Sequence, residues 1–317
     1  MADRQYIRTV TQFITQPQYS NVVPMLSILN EPMANPSAGT NGTGQAAMEA
    51  FYAQAYSAIR EITGSGAGKG PMIAIGDAFL GGTNWVGWLP NADRVAMDLH
   101  SYLVFAGTQR AGTIASFGVQ ACNQYSASTR TLMQNFGFTS HGEWSLAIND
   151  CGQYVNGVTR GSQFDGTQQG SSTVYGSCND WTDATTWNAA KKQQFQQLAS
   201  AWLDATQNSF FWTWKIGPNL AGKIPSPMWS MQLAIESGYW PTNMRNNTCD
   251  CDRPSLTHAA ALALACRART AQRPSLVLFL PQRPATVLPS MPTPLLRSPG
   301  RHRCRRLARR CTRARAI

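Results

Sequence analysis

Apolar positions recur at helical spacing in Met48, Phe51, Tyr52, Ala55, Tyr56 and Ile59, which predicts a helix over 45–62. Similar periodicity predicts helices over 6–13, 127–136, 151–158 and 186–208. Shorter β-prone apolar runs predict strands at 22–29, 71–75, 94–100, 138–144 and 210–214. Between 161 and 180 the pattern gives way to a polar stretch rich in Gly, Ser and Thr. Strands alternating with helices argue for an α/β fold built on a parallel sheet.

Two of these strands run into a glutamate. Ile28-Leu29-Asn30-Glu31-Pro32 follows the first, and His141-Gly142-Glu143-Trp144-Ser145 closes the fourth. In a β/α barrel, strand ends deliver side chains to the rim where chemistry is done. Paired rim carboxylates suit glycoside hydrolysis: one acid protonates the leaving oxygen, and one carboxylate captures or stabilises the positive carbon. A gap of about 5–5.5 Å lets the second attack directly with retention, whereas about 6.5–9.5 Å admits water and inverts. The Asn30 amide can bond a sugar hydroxyl, Pro32 ends the strand, and Trp144 is expected to wall Glu143. His100 and Tyr102, two residues apart, face one side of a strand. Trp212 and Trp214 share the same spacing, with Trp212 expected in the core.

The segments Leu26-Ser27-Ile28-Leu29-Asn30-Glu31-Pro32, Ile75-Gly76-Asp77-Ala78-Phe79, Asp98-Leu99-His100-Ser101-Tyr102-Leu103-Val104-Phe105, Gly142-Glu143-Trp144-Ser145, Asn156-Gly157-Val158-Thr159-Arg160-Gly161 and Phe211-Trp212-Thr213-Trp214-Lys215 occur in that order. Together, across about residues 5–250, they closely resemble the fungal exo-1,3-β-glucanases (glucan 1,3-β-glucosidases) of glycoside hydrolase family five. The resemblance implies a (β/α)8 TIM barrel, here incomplete, with about the last five β/α units in residues 1–252. It implies retaining release of glucose from 1,3-β-glucan, with Glu31 as acid/base and Glu143 as nucleophile. Asn30, His100, Tyr102 and Trp214 match positions lining the sugar subsite, and Phe105 matches an aromatic at the cleft entrance. The family's first three strands, with an arginine and a histidine of the sugar pocket, have no match before Asn30. A catalytically dead glucan-binding remnant, or a 1,6-β-glucanase or cellulase on the same barrel, are the alternatives. No metal or organic cofactor is implied, because two carboxylates and water suffice.

The resemblance also bears on the cysteines. Cys122, Cys151, Cys178 and one of Cys249 or Cys251 match family cysteines, with Cys151 expected to pair Cys178, and Cys122 to pair Cys249 or Cys251. Their spacings fit no paired C-x-x-C zinc pattern. With the sequons at Asn41 and Asn246-Asn247-Thr248, these bridges place the parent protein outside the cell or at the wall. The first residues are polar with no signal-like apolar run, and no stretch approaches the roughly 20 apolar residues of a membrane span. A monomer is expected.

Charge changes the picture only at one end. Of 27 Lys and Arg residues, 14 are arginines at or after Arg253, while all 16 acids lie at or before Asp252. Residues 1–252 therefore carry a formal net charge of −3, and the overall +11 belongs to 253–317. That Arg/Pro-rich tail lacks Lys, Tyr and Trp and is expected to be disordered. Without interleaved aromatics for base stacking it does not argue for a nucleic-acid partner, and it reads more readily as an out-of-frame or intron-derived translation.

Overall fold

The computed structural model of the chain describes residues 2–34, 43–105, 111–242, 244 and 251. Five strands, β1 (Met25–Ser27), β2 (Met72–Gly76), β3 (Val95–Ser101), β4 (Thr139–Trp144) and β5 (Ser209–Phe211), pair in parallel in sequence order. The connections carry helices: α1 (Ala2–Ile14) precedes β1, α2 (Gln45–Thr63) joins β1 to β2, and α3 (Ile114–Ala121) and α4 (Ala127–Asn135) join β3 to β4. Helix α5 (Ala189–Thr206) joins β4 to β5, and α6 (Met231–Glu236) follows. The sheet curls into a half-barrel, the arrangement of an incomplete (β/α)8 TIM barrel. By internal contacts the chain divides into Met1–Pro274 and Ser275–Ile317. The second unit, the expected boundary at 252, Cys249 and the sequon asparagines Asn41, Asn246 and Asn247 lie outside the described residues.

Strand phase sorts the side chains into two faces. On β3, Met97 and Leu99 pack outward with Met48 and Tyr52 of α2 and Leu132 of α4, while Asp98 and His100 take the inner face. Around β4 and β5 a second outer core gathers Phe117, Trp144, Phe195, Trp202 and Trp240. Trp202 lies between two partners, 5.6 Å from Trp144 and 5.2 Å from Tyr125 by ring centroids. Tyr125 belongs to a π-helical turn, Cys122–Ser126, that runs α3 into α4. The disulfide Cys122–Cys251 fastens that turn, and Cys151–Cys178 closes the polar excursion. The choice left open between Cys249 and Cys251 therefore falls on Cys251.

Several expectations need correction. Residues 151–158 form turns rather than a helix. The Asp150 carboxylate explains this: it accepts from Asn156 Nδ2, Ser162 Oγ and the backbone N–H groups of Gln163 and Phe164, so side-chain bonds fold the segment back on itself. These bonds hold the Asp150 carboxyl below its usual range against the opposing effect of burial. Helix 127–136 continues a longer one that starts at Ile114, with its step at the π turn. The edge strand predicted at 22–29 pairs over only Met25–Ser27, with turns before it. Trp212, expected in the core, is half exposed just past β5.

Candidate active site

The inner face of the half-barrel brings Glu31, His100, Tyr102 and Glu143 together. One oxygen of Glu31, one nitrogen of His100 and one oxygen of Glu143 all lie within 4.8 Å of one another. His100 Nδ1 sits 2.7 Å from Glu31 Oε1 and 3.6 Å from Glu143 Oε1, so the imidazole lies beside both carboxylates. The Tyr102 hydroxyl donates to Glu143 Oε2 at 2.6 Å. Burial pushes the Tyr102 phenol well above its ordinary value, and the neighbouring Glu143 adds to the shift, so it remains a donor at any physiological pH.

Local backbone explains how two distant segments aim at one point. Glu31 follows β1 with φ of 43°, a left-handed conformation uncommon outside glycine. Buried Pro32 comes next, beside Gly76 at the end of β2. On β4 the pairing with β3 shifts between Leu99 and His100: Leu99 faces His141, and His100 faces Glu143. Gly142 is the extra residue of a β-bulge. Simple alternation would put His141 and Glu143 on the same face. Instead, His141 turns outward to Ser101 and Thr129, and Glu143 turns inward to Tyr102 and His100.

The other predicted residues divide. Phe105 is 55% exposed and stands edge-on to Tyr102, with centroids 5.6 Å apart. Trp229, which sequence reasoning missed, completes this aromatic corner 5.4 Å from Tyr102. Asn30 is exposed next to Glu31 in the chain. Trp214 lies past β5 and is 58% exposed, with its carbonyl bonded by the Gln232 N–H. Trp144 does not wall Glu143: it is 1% exposed in the outer core, because the residue next to an inward-facing Glu143 on a strand points to the opposite face.

Two further carboxylates escaped selection although both stood in quoted motifs. Burial raises the Asp77 carboxyl, against bonds from backbone N–H groups. Asp98 is raised chiefly by burial too, partly offset by His100, the Gly142 N–H and Ser27. Among the described residues, Glu31, His100 and Glu143 form the one group of three such ligands spaced to hold a metal ion.

A glucan 1,3-beta-glucosidase of Wickerhamomyces anomalus is 30% identical over 235 residues, covering 68% of this chain and 51% of that protein. The Blumeria graminis enzyme of the same name is 30% identical over 237 residues, 69% and 52% of the two chains, and that of Schwanniomyces occidentalis is 29% identical over 237, 70% and 52%. The chain is a relative of the fungal glucan 1,3-beta-glucosidases. It spans about half the length of these relatives. No protein-family model matches it. Among solved structures, a rutinosidase from Aspergillus niger aligns with a TM-score of 0.46 at 16% identity, over 75% of this chain and 56% of that one. Among the described residues no helix is long and apolar enough to cross a membrane.

Proposed function

We propose that Glu31 and Glu143 form the reactive pair of a retaining glycoside hydrolase that releases glucose from 1,3-β-glucan. The observation that carries this reading is the approach of the two carboxylates, with one oxygen of each within 4.8 Å. An approach this close lies at the short end of the separations that favour direct attack over an inserted water. Glu31, protonated, gives its proton to the glycosidic oxygen as Glu143 forms a bond to the anomeric carbon and the aglycone leaves. Glu31 then takes a proton from water, whose oxygen attacks the same carbon and frees Glu143. Inversion twice is net retention.

The neighbours serve these two steps. Tyr102 holds one oxygen of Glu143 and leaves the other for attack. His100, against Glu31 Oε1, fixes which oxygen faces the leaving group. Exposed Phe105 offers an apolar face for a pyranose ring, backed by the buried Trp229, and Asn30 and Trp214 complete the sugar contacts. Disulfides persist in oxidising surroundings, which supports a place outside the cell or at the wall.

The test is proton NMR of the first products from laminarin. Initial β-glucose supports retention by this pair. Initial α-glucose would overturn it, and binding without release would favour a glucan-binding remnant. Pustulan and carboxymethylcellulose, run in parallel, separate 1,6-β-glucanase and cellulase action.

A further inference from the structure

We propose that Asp98 is a positioning residue, acting through the Gly142 bulge to turn Glu143 toward the reacting carbon. The inference rests on the function proposed above and assigns that site a part it did not have. Asp98 Oδ1 accepts from the Gly142 N–H at 3.0 Å, the backbone group that the bulge withdraws from the regular ladder. Its other oxygen, Oδ2, accepts from Ser27 Oγ at 3.3 Å and lies 3.8 Å from His100 Nε2. One carboxylate thus touches β1, its own strand β3 and β4. These are the strands that carry or lead into Glu31, His100 and Glu143.

Gly142 fits this role sterically. A Cβ placed there would stand 2.2 Å from Asp98 Oδ1 and 2.9 Å from its carboxyl carbon. The side chain of Asp98 fills the space that any other residue at 142 would need. With Oδ1 gone, the Gly142 N–H loses the acceptor it has among the described residues, and the register that turns Glu143 inward loses its inner anchor. Asp98 touches neither bond being made nor bond being broken. It sets where Glu143 stands.

Two variants of the full chain test this. Asp98→Ala is expected to lower kcat on an aryl β-glucoside by about a hundredfold, the scale of a small misplacement of a reacting group, with KM changed far less. Asp98→Asn keeps an oxygen for the Gly142 N–H and is expected to recover most of that loss. Hydrogen exchange at the Gly142 amide should quicken in Asp98→Ala by about tenfold, the scale of one lost hydrogen bond to a charged group, and return toward wild type in Asp98→Asn. Equal losses in the two variants, or an unchanged Gly142 exchange rate in Asp98→Ala, would overturn the proposal. Absence of turnover in the wild-type chain would sink the hydrolase reading alone, because the exchange comparison still decides the bulge.

Discussion

The two faces of the sheet differ in what their side chains are bonded to. Outward, Trp144, Trp202, Phe195 and Phe117 pack in a dry layer, and the one imidazole there is buried between two hydroxyls. Inward, carboxylates and an imidazole lie within bonding reach of one another and partly open to solvent. Apolar burial stabilises the first face, whereas gathering like charges on the second works against folding. A substitution should therefore be felt as lost stability on one face and as lost rate on the other. His141 and Glu143, two residues apart on β4, straddle that divide.

The largest test lies on the inner face. Glu143→Gln keeps size and can still accept the Tyr102 hydroxyl, but it cannot attack carbon. Turnover is expected to fall by about 10⁴-fold or more, the range seen when a nucleophile is removed. The free energy of unfolding should stay within about 1 kcal/mol, as for replacements that open no cavity. Parallel rate assays and urea titrations would check both. A comparable loss of stability would erase the division between faces.

Next comes the outer layer. Trp202→Ala removes a buried indole lying between Trp144 and Tyr125. The expected cost is about 3–5 kcal/mol of unfolding free energy, as for other buried large-to-Ala replacements. Any rate loss should follow the fraction folded. A fully folded Trp202→Ala protein with slowed chemistry would show instead that the layer tunes the site.

His141 gives the outer face a pH signature. Burial pushes its pKa down from 6.5 to about 3, so the folded protein keeps it neutral while the unfolded chain takes up a proton below about 6.5. The unfolded state then binds more protons, and stability falls as pH drops from about 6.5 toward 3, at up to about 1.4 kcal/mol per unit. Asp150, depressed below 3.8, adds its loss only at lower pH, whereas Asp77 and Asp98, raised by burial, take up protons first in the folded state and oppose the slope. Across the interval from 4 to 6.5 the histidine is therefore read as the difference between wild type and a variant without it. Unfolding titrations across that interval should show the slope, and His141→Asn should flatten it.

The sequence carried the half-barrel because its signals were local. The 45–62 periodicity became α2, and each β-prone run overlaps one strand of the sheet, the last by only two residues. It carried the meeting of Glu31, His100 and Glu143 because strand ends in a parallel sheet converge on one rim. Alternation alone misassigned the surroundings of Glu143. Counting by twos sets His141 and Glu143 on the same side, which only the extra residue Gly142 reverses, whereas it already sets Trp144 opposite Glu143, so the expected wall ran against alternation itself. A glycine between two chemically distinct residues on a strand was the available sign. For 151–158 the periodic pattern was real, yet Asp150 accepts from a hydroxyl twelve residues on and from N–H groups thirteen and fourteen residues on, which no window of that width contains.

The smallest test compares one hydroxyl on each face. Tyr102→Phe keeps the ring against Phe105 and Trp229 and deletes only the donor to Glu143. Ser101→Ala, one residue earlier, deletes the partner of His141 Nδ1. Each removes one hydrogen bond, worth about 1–3 kcal/mol when the group left behind is charged or buried. For Tyr102→Phe that free energy should appear in kcat, as roughly a tenfold loss, because Glu143 faces solvent enough to be hydrated once the phenol is gone. For Ser101→Ala it should appear in unfolding, because His141 is 0% exposed and water cannot replace the hydroxyl. Adjacent residues with exchanged readouts would place the boundary between chemistry and packing within a single step of β3. Equal effects on rate and stability in both would show that the faces are mechanically one.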